Sequence, residues 1–211
     1  MEMKYYTLKQ EDDPATFVEF WARRYKYRDP KIYQENIKPP LTPESVRKLF
    51  AWKAMRLNSK KIEDGEYKFV EDVILNLNSF CSLQLDTPED ANNFLTNKLK
   101  DKGMIWKIFT LHIMYPERYP IFDQNVYRAM YYLQTGTIKE IPSKNSDKQT
   151  SYITEYLPFY NAHGYYPDRK LDKALFAFGQ FLKIPRERAG GLQADRGGFK
   201  ADDKSFSDSA R

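Results

Sequence analysis

Asp123 ends a run, Tyr119-Pro120-Ile121-Phe122-Asp123, whose prolines deny the chain a helix, and it stands directly before the amphipathic stretch Gln124-Asn125-Val126-Tyr127-Arg128. An aspartate in that position has two chemical uses. Its carboxylate can accept from the first N–H groups of the helix, a cap that contributes about 1 kcal/mol. It can also serve as a fixed negative charge, ionised at neutral pH because the reference pKa of Asp is about 3.9, against a cation that develops during a reaction. Lys100 and Lys102 precede Gly103 at the head of a long apolar stretch. A lysine-bearing turn at a helix start offers backbone N–H groups and positive charge to a phosphate, or is a solvated connector. Lys107 interrupts the apolar stretch and reads as a side chain extending to solvent. His112 and His163 are too far apart in sequence for a local metal motif and read as structural or surface residues, so no metal site is expected.

The segments that must position these groups read as helices. Asp13-Pro14 opens one in which Phe17, Phe20, Trp21, Tyr25 and Arg28 recur at helical spacing, with Asp29-Pro30 as its expected stop. Thr42-Pro43-Glu44 and Thr87-Pro88-Glu89 share one grammar of N-cap, proline at the first helical position and an acid near the positive helix end. The first should run to about Leu57. The second carries Ala91, Phe94, Leu95 and Leu99 up to the Lys100–Gly103 connector, short enough to join antiparallel helices. Between them, Glu66 to Phe80 follows the helical period. Met104 to Met114 is apolar almost all round, as suits a helix in the middle of a domain. The helix after Asp123 should bury Val126, Ala129, Met130 and Leu133 and stop at Gly136. A polar connector is expected around 139–150, then an aromatic stretch from Tyr152 to Tyr160 interrupted by Pro158, then a last helix from Asp168 to Ile184. No segment reads as a confident strand. The fold class is therefore all-α, with one domain over residues 1–184 and a flexible or non-native tail over 185–211.

Composition narrows the function classes. The chain has 211 residues with 41% hydrophobic and 30% charged positions, enough for one sizeable core or two modest lobes. Cys81 is the single cysteine, which rules out an internal disulfide, a four-cysteine zinc site and a cysteine-held Fe–S cluster. No apolar run approaches the roughly 20 residues of a membrane span, and the first residues lack the layout of a secretory signal. The expectation is a soluble cytoplasmic protein without a membrane partner, nucleoid-associated in a prokaryote. A formal charge of +5 is compatible with nucleic acid. Aromatic residues make up 16% of the chain, material for a core or for stacking on bases.

A helix, a Lys/Gly turn, a buried helix, a proline-containing turn ending in one Asp and a helix beginning Gln-Asn-Val-Tyr-Arg together resemble the helix-hairpin-helix superfamily of DNA glycosylases, known as HhH-GPD. The likeness is clearest over residues 87–135. Asp123, Val126 and Arg128 stand where that family places Asp, Val and Arg, while Gln124 and Asn125 replace its usual Thr and His, and the hairpin keeps a single glycine, Gly103. The resemblance implies a two-lobed helical fold acting on double-stranded DNA as a monomer. It implies that Asp123 stabilises the sugar cation or positions water when the bond to a flipped-out base breaks. It also implies that Lys100, Lys102, Gly103, Ile105, Lys107 and Arg128 contact DNA, and that the hairpin orders a monovalent cation, with no other cofactor required and no Fe–S cluster. Bifunctional relatives carry a lysine nucleophile about eighteen residues before the aspartate; that position is Ile105 here, with Lys102 and Lys107 as neighbours, so hydrolysis by water is favoured and a glycosylase/lyase is the alternative. Trp52, Lys53, Trp106 and Tyr127 are candidates for the base pocket. A non-enzymatic helical DNA-binding module is the further alternative. The damaged or modified base remains open, from repair lesions to bulky modified pyrimidines of phage DNA.

Overall fold

The computed structural model describes residues 13–27, 29–54, 64–99, 102–164 and 166–183, with the side chains of 64–67 left aside. Lys100, Arg28, the end of the second expected helix near Leu57 and the 185–211 tail lie outside the described residues. Within them the chain is all helical, without a strand. No described helix is long and apolar enough to cross a membrane.

Local chemistry sets the helix starts. Asp13 caps α1 (Pro14–Ala22) through Ala15 and Thr16 N–H. Thr42 caps α3 (Pro43–Lys53) and Thr87 caps α6 (Pro88–Asn97), each inside a reciprocal capping box, with Ser45 and Asp90 returning the bond to the cap's own N–H. Asp29-Pro30 departs from its expected role. It does not end the first helix but begins α2 (Pro30–Asn36), because proline is well suited to a first helical position where its missing N–H costs nothing. Residues 64–81 form α4 (Asp64–Leu75) and α5 (Leu77–Cys81), broken at Asn76. α7 (Met104–Met114) and α8 (Gln124–Thr135) have the expected bounds, and Gly136 ends α8 in the left-handed conformation at φ 70°.

The expected polar connector near 139–150 is instead partly helical. α9 (Asn145–Thr150) runs through a π-helical segment (Ser151–Tyr156) into α10 (Leu157–Ala162) without a break. The wide π turns lie just before Pro158, whose ring would clash with the carbonyl of Thr154 in a regular α-helix. A short 3-10 turn (Pro167–Arg169) then feeds α11 (Lys170–Phe181).

The buried side chains form one contiguous core that includes residues of both α1 and α11. α1 lies on α11, where Phe178 meets Phe17 at 5.3 Å and Trp21 at 5.0 Å between ring centroids. α11 also lies along α8, and there the backbones nearly touch: a Cβ on Gly179 would sit 1.9 Å from the Asn125 carbonyl oxygen. Leu133, expected in the core, is 41% exposed near the end of α8, although the adjacent Tyr132 still packs on Phe178 of α11. Gly179→Ala is expected to cost about 3 kcal/mol, because two helix backbones and not a flexible side chain must yield. Urea unfolding of the two proteins checks this through the midpoint at constant slope.

Candidate active site

Asp123 sits at the N-cap of α8 and divides its carboxylate between two tasks. Oδ1 accepts from Asn125 N–H at 2.8 Å and Val126 N–H at 3.3 Å. Oδ2 faces Lys53 Nζ at 3.2 Å, and the two side chains are 20% and 11% exposed. Lys53 is the last residue of α3, and its carbonyl accepts from the Tyr27 hydroxyl at 3.1 Å, which satisfies one of the groups a helix end leaves open. The pair lines a small cavity together with Tyr25, Tyr27, Trp52, Ile121, Val126, Arg169, Asp172 and Phe176. Its volume of about 10 Å³ is at the lower limit for one water.

The turn that delivers Asp123 is held from several directions. His112 Nδ1 lies 2.7 Å from the Tyr119 carbonyl oxygen, which can only accept, so Nδ1 carries the proton and Nε2 accepts from the Tyr33 hydroxyl at 2.7 Å. Burial holds the His112 imidazole well below the ordinary histidine range, with the nearby Arg169 charge acting in the same direction. Tyr152 donates to the Pro120 carbonyl at 3.3 Å. From α11, the Asp172 carboxylate lies near the Ile121 N–H, which favours its charged form. Burial pushes Asp172 up against the opposing pull of Arg169, whose Nε is 3.1 Å from Oδ2.

Arg169 stands at the mouth of the cavity. Its guanidinium lies 4.0 Å from the Tyr33 ring centroid and 5.7 Å from that of Trp52. It is presented by strained backbone: Asp168 and Arg169 are consecutive non-glycine residues at φ 55° and 56°, a conformation that costs of order 1–3 kcal/mol per residue. On the outer side of Arg169 a groove of about 690 Å³ opens, sharing Tyr25, Trp52 and Arg169 with the Asp123 cavity.

The other residues expected from sequence distribute unevenly. Trp52 is nearly buried and edges both spaces. Tyr127 is a correction: it is fully buried in the core, edge-on to Phe122, and has no face for a base. Trp106 stacks on Phe50, with rings 2° from parallel, and is not part of the cavity wall. Arg128 is also a correction, for it cannot reach phosphate from the interior. It is 2% exposed and donates to Gly179 O at 2.7 Å, to Asn125 Oδ1 and to both Glu140 carboxylate oxygens. Lys107 donates to the Leu95 carbonyl at 3.3 Å and Lys102 lies over the Trp106 ring; the lysine brought to Asp123 is Lys53. Of the hairpin, Gly103 is exposed, Ile105 is half-buried, and the first N–H of α7, on Met104, is taken by Asn145 Oδ1 at 3.1 Å.

Sequence reasoning missed Arg169 and Asp172. The signal available was their spacing on the last helix: Arg169, Asp172, Phe176 and Gly179 form one stripe at i, i+3, i+7 and i+10, with charge and glycine interrupting an apolar face. Among the described residues, no group of three or more His, Cys, Asp or Glu side chains is placed to hold a metal ion. What the fold and site define, among the described residues, is an all-helical arrangement with a carboxylate–ammonium pair lining an aromatic cleft. No family model, curated protein or solved structure matches the chain.

Because His112 stays neutral in the folded protein while an unfolded histidine takes up a proton near pH 6.5, its contribution is fully present above that pH and is lost progressively below it. Stability should fall on acidification by up to about 1.4 kcal/mol per pH unit from this residue, and His112→Gln should flatten that slope in chemical denaturation between pH 7 and pH 5.

Proposed function

We propose that this protein is a monofunctional DNA glycosylase of the HhH-GPD kind, with its two-lobed helical architecture, which flips a damaged or modified base out of double-stranded DNA and removes it, in repair or in defence against modified phage DNA. It acts as a cytoplasmic monomer on this reading. The observation that carries the proposal is the Asp123 carboxylate: one oxygen is committed to capping α8 and the other is turned to a cleft of aromatic and cationic groups. The chemistry needs such a group. As the bond from sugar C1′ to the base nitrogen breaks, its electron pair leaves with the base and positive charge develops on the sugar. A carboxylate about 4 Å away at an effective dielectric near 20 stabilises that charge by about 4 kcal/mol. Water then adds to C1′ and gives up a proton to the departing base or to solvent. The cap fixes the carboxylate before the substrate arrives, so no reorganisation is needed in the transition state. Lys53 orients Oδ2, and must be drawn partly aside when the sugar takes its place. Lys102 and the Gly103 turn supply the outer grip on phosphate, with the cation of the hairpin as an additional contact.

Asp123→Asn keeps a good N-cap and removes the charge. Release of the true substrate base should fall by at least about 100-fold, with DNA affinity and thermal midpoint little changed. Undiminished release would remove Asp123 from the reaction. The 3.2 Å contact between Lys53 and Asp123 favours one second reading, a glycosylase/lyase in which Lys53, in place of Lys102 or Lys107, attacks C1′. Borohydride should then trap a protein–DNA adduct in wild type and not in Lys53→Gln, whereas a hydrolytic enzyme leaves abasic sites and no adduct. DNA affinity that falls with salt, with no base released from any duplex, would identify a binding module instead.

A further inference from the structure

We infer that the base accepted by this site carries a bulky, polyhydroxylated substituent, chemically a sugar attached to the base, which occupies the groove opening off the Asp123 cavity. The inference rests on the glycosylase reading above and names its substrate class.

Size is the first argument. The groove measures about 690 Å³, within the roughly 300–1,000 Å³ of sites that enclose a medium-sized organic ligand. A bare pyrimidine or purine is a small flat fragment of such a ligand. The cavity directly beside Asp123 holds about one water, so a base extruded toward the carboxylate must place its ring at the mouth, near Trp52 and Arg169, and any substituent beyond it. The two spaces meet there: Tyr25, Trp52 and Arg169 line both.

The lining is the second argument. Tyr160 and Tyr166 give the groove ring surfaces suited to the C–H faces of a sugar, and Gln34 and Asn161 bring amide donors and acceptors for hydroxyl groups. Charges on the walls are of both signs, Lys38, Arg169 and Lys173 against Glu117 and Asp168. A groove that tracks a nucleic-acid backbone carries one sign along its length. Mixed donors and acceptors around aromatic walls fit a neutral, hydroxyl-rich group better than either a phosphate chain or a purely apolar one.

The third argument is strain. Asp168 and Arg169 both hold left-handed backbone conformations without being glycine, and together they set the guanidinium between the rings of Tyr33 and Trp52 and the Asp172 carboxylate. Strain of this kind persists where the surroundings demand it, and here it places a planar donor at the junction between base and substituent. Arg169 Nε also lies 3.1 Å from the Asp172 carboxylate, which fixes the guanidinium at that junction.

The test uses duplexes identical except at one position: cytosine, 5-hydroxymethylcytosine, glucosylated 5-hydroxymethylcytosine, or one of a set of small lesions. Abasic sites are scored for the full chain and for Gln34→Trp and Asn161→Trp, two exposed positions on different helices where a large ring fills the groove without entering the core. In parallel, binding of the glucosylated and unglucosylated hydroxymethyl nucleosides to Asp123→Asn, alone and combined with each groove variant, is measured by titration. The expected result is release of the glucosylated base at least tenfold faster than any smaller one, a tenfold loss of that ratio in both groove-filling variants, and a matching nucleoside preference. Release of small bases only, with no nucleoside preference, would overturn the inference and leave the glycosylase reading standing. Nucleoside preference lost in both groove variants, with no base released from any duplex, would sustain the groove assignment and overturn the glycosylase reading. Neither release nor preference would overturn both.

Discussion

The contact on which the site depends is the crossing of α8 and α11 at Gly179. Nothing larger than hydrogen fits there, since the Asn125 carbonyl fills the position of a side chain. Close approach has a direct chemical result. The Gly179 carbonyl comes within 2.7 Å of Arg128, whose buried guanidinium is then satisfied by that carbonyl, by Asn125 and by Glu140. A buried cation left with fewer partners would be costly, so the small residue and the charged one act as a unit. Two turns earlier on the same face of α11, Asp172 lies near the Ile121 N–H and Arg169 projects toward Trp52. The crossing therefore sets how far the arginine–aspartate pair of one helix lies from the carboxylate at the start of the other.

The turn from Tyr119 to Asp123 is irregular backbone inside a helical protein, and its polar groups must be satisfied there. The Tyr119 carbonyl is met by His112 and the Pro120 carbonyl by Tyr152, the Ile121 N–H lies near Asp172, and Asp123 satisfies the first N–H groups of α8. Each partner comes from a different helix. Rigidity of this sort is what a carboxylate needs if it is to act on a charge that exists only in a transition state, because a mobile group would lose the gain to reorientation. The neutral state of His112 belongs to the same logic. Its ring is committed as donor on one side and acceptor on the other, an arrangement that protonation would destroy.

Local rules were legible from the residues alone. The paired Thr-Pro caps at 42–43 and 87–88, the bounds of Met104–Met114 and Gln124–Thr135, the Gly136 stop and the place of Asp123 at a helix start all follow from short-range chemistry that acts within one turn. Where short-range signals had two meanings, reading failed. Asp29-Pro30 can end or begin a helix, and the polar run near 145 had too weak a period to announce α9. Tyr127 and Arg128 follow the key aspartate in sequence, yet α8 turns both inward, because the face they occupy is the one covered by its neighbours.

By itself the sequence determined an all-helical chain, its capped helix starts and one carboxylate poised at the head of a helix, since each of these depends on residues within a few positions of one another. Only the tertiary structure decided which lysine meets that carboxylate. Lys53 lies 70 residues from Asp123, farther than Lys102 and Lys107, and reaches it because its long side chain extends from the end of α3 to the N-cap of α8. Arg169, Asp172 and the aromatic groove were decided in the same way: their chemistry arises from side chains that converge from separate helices, and convergence is a property of packing that no local spacing encodes.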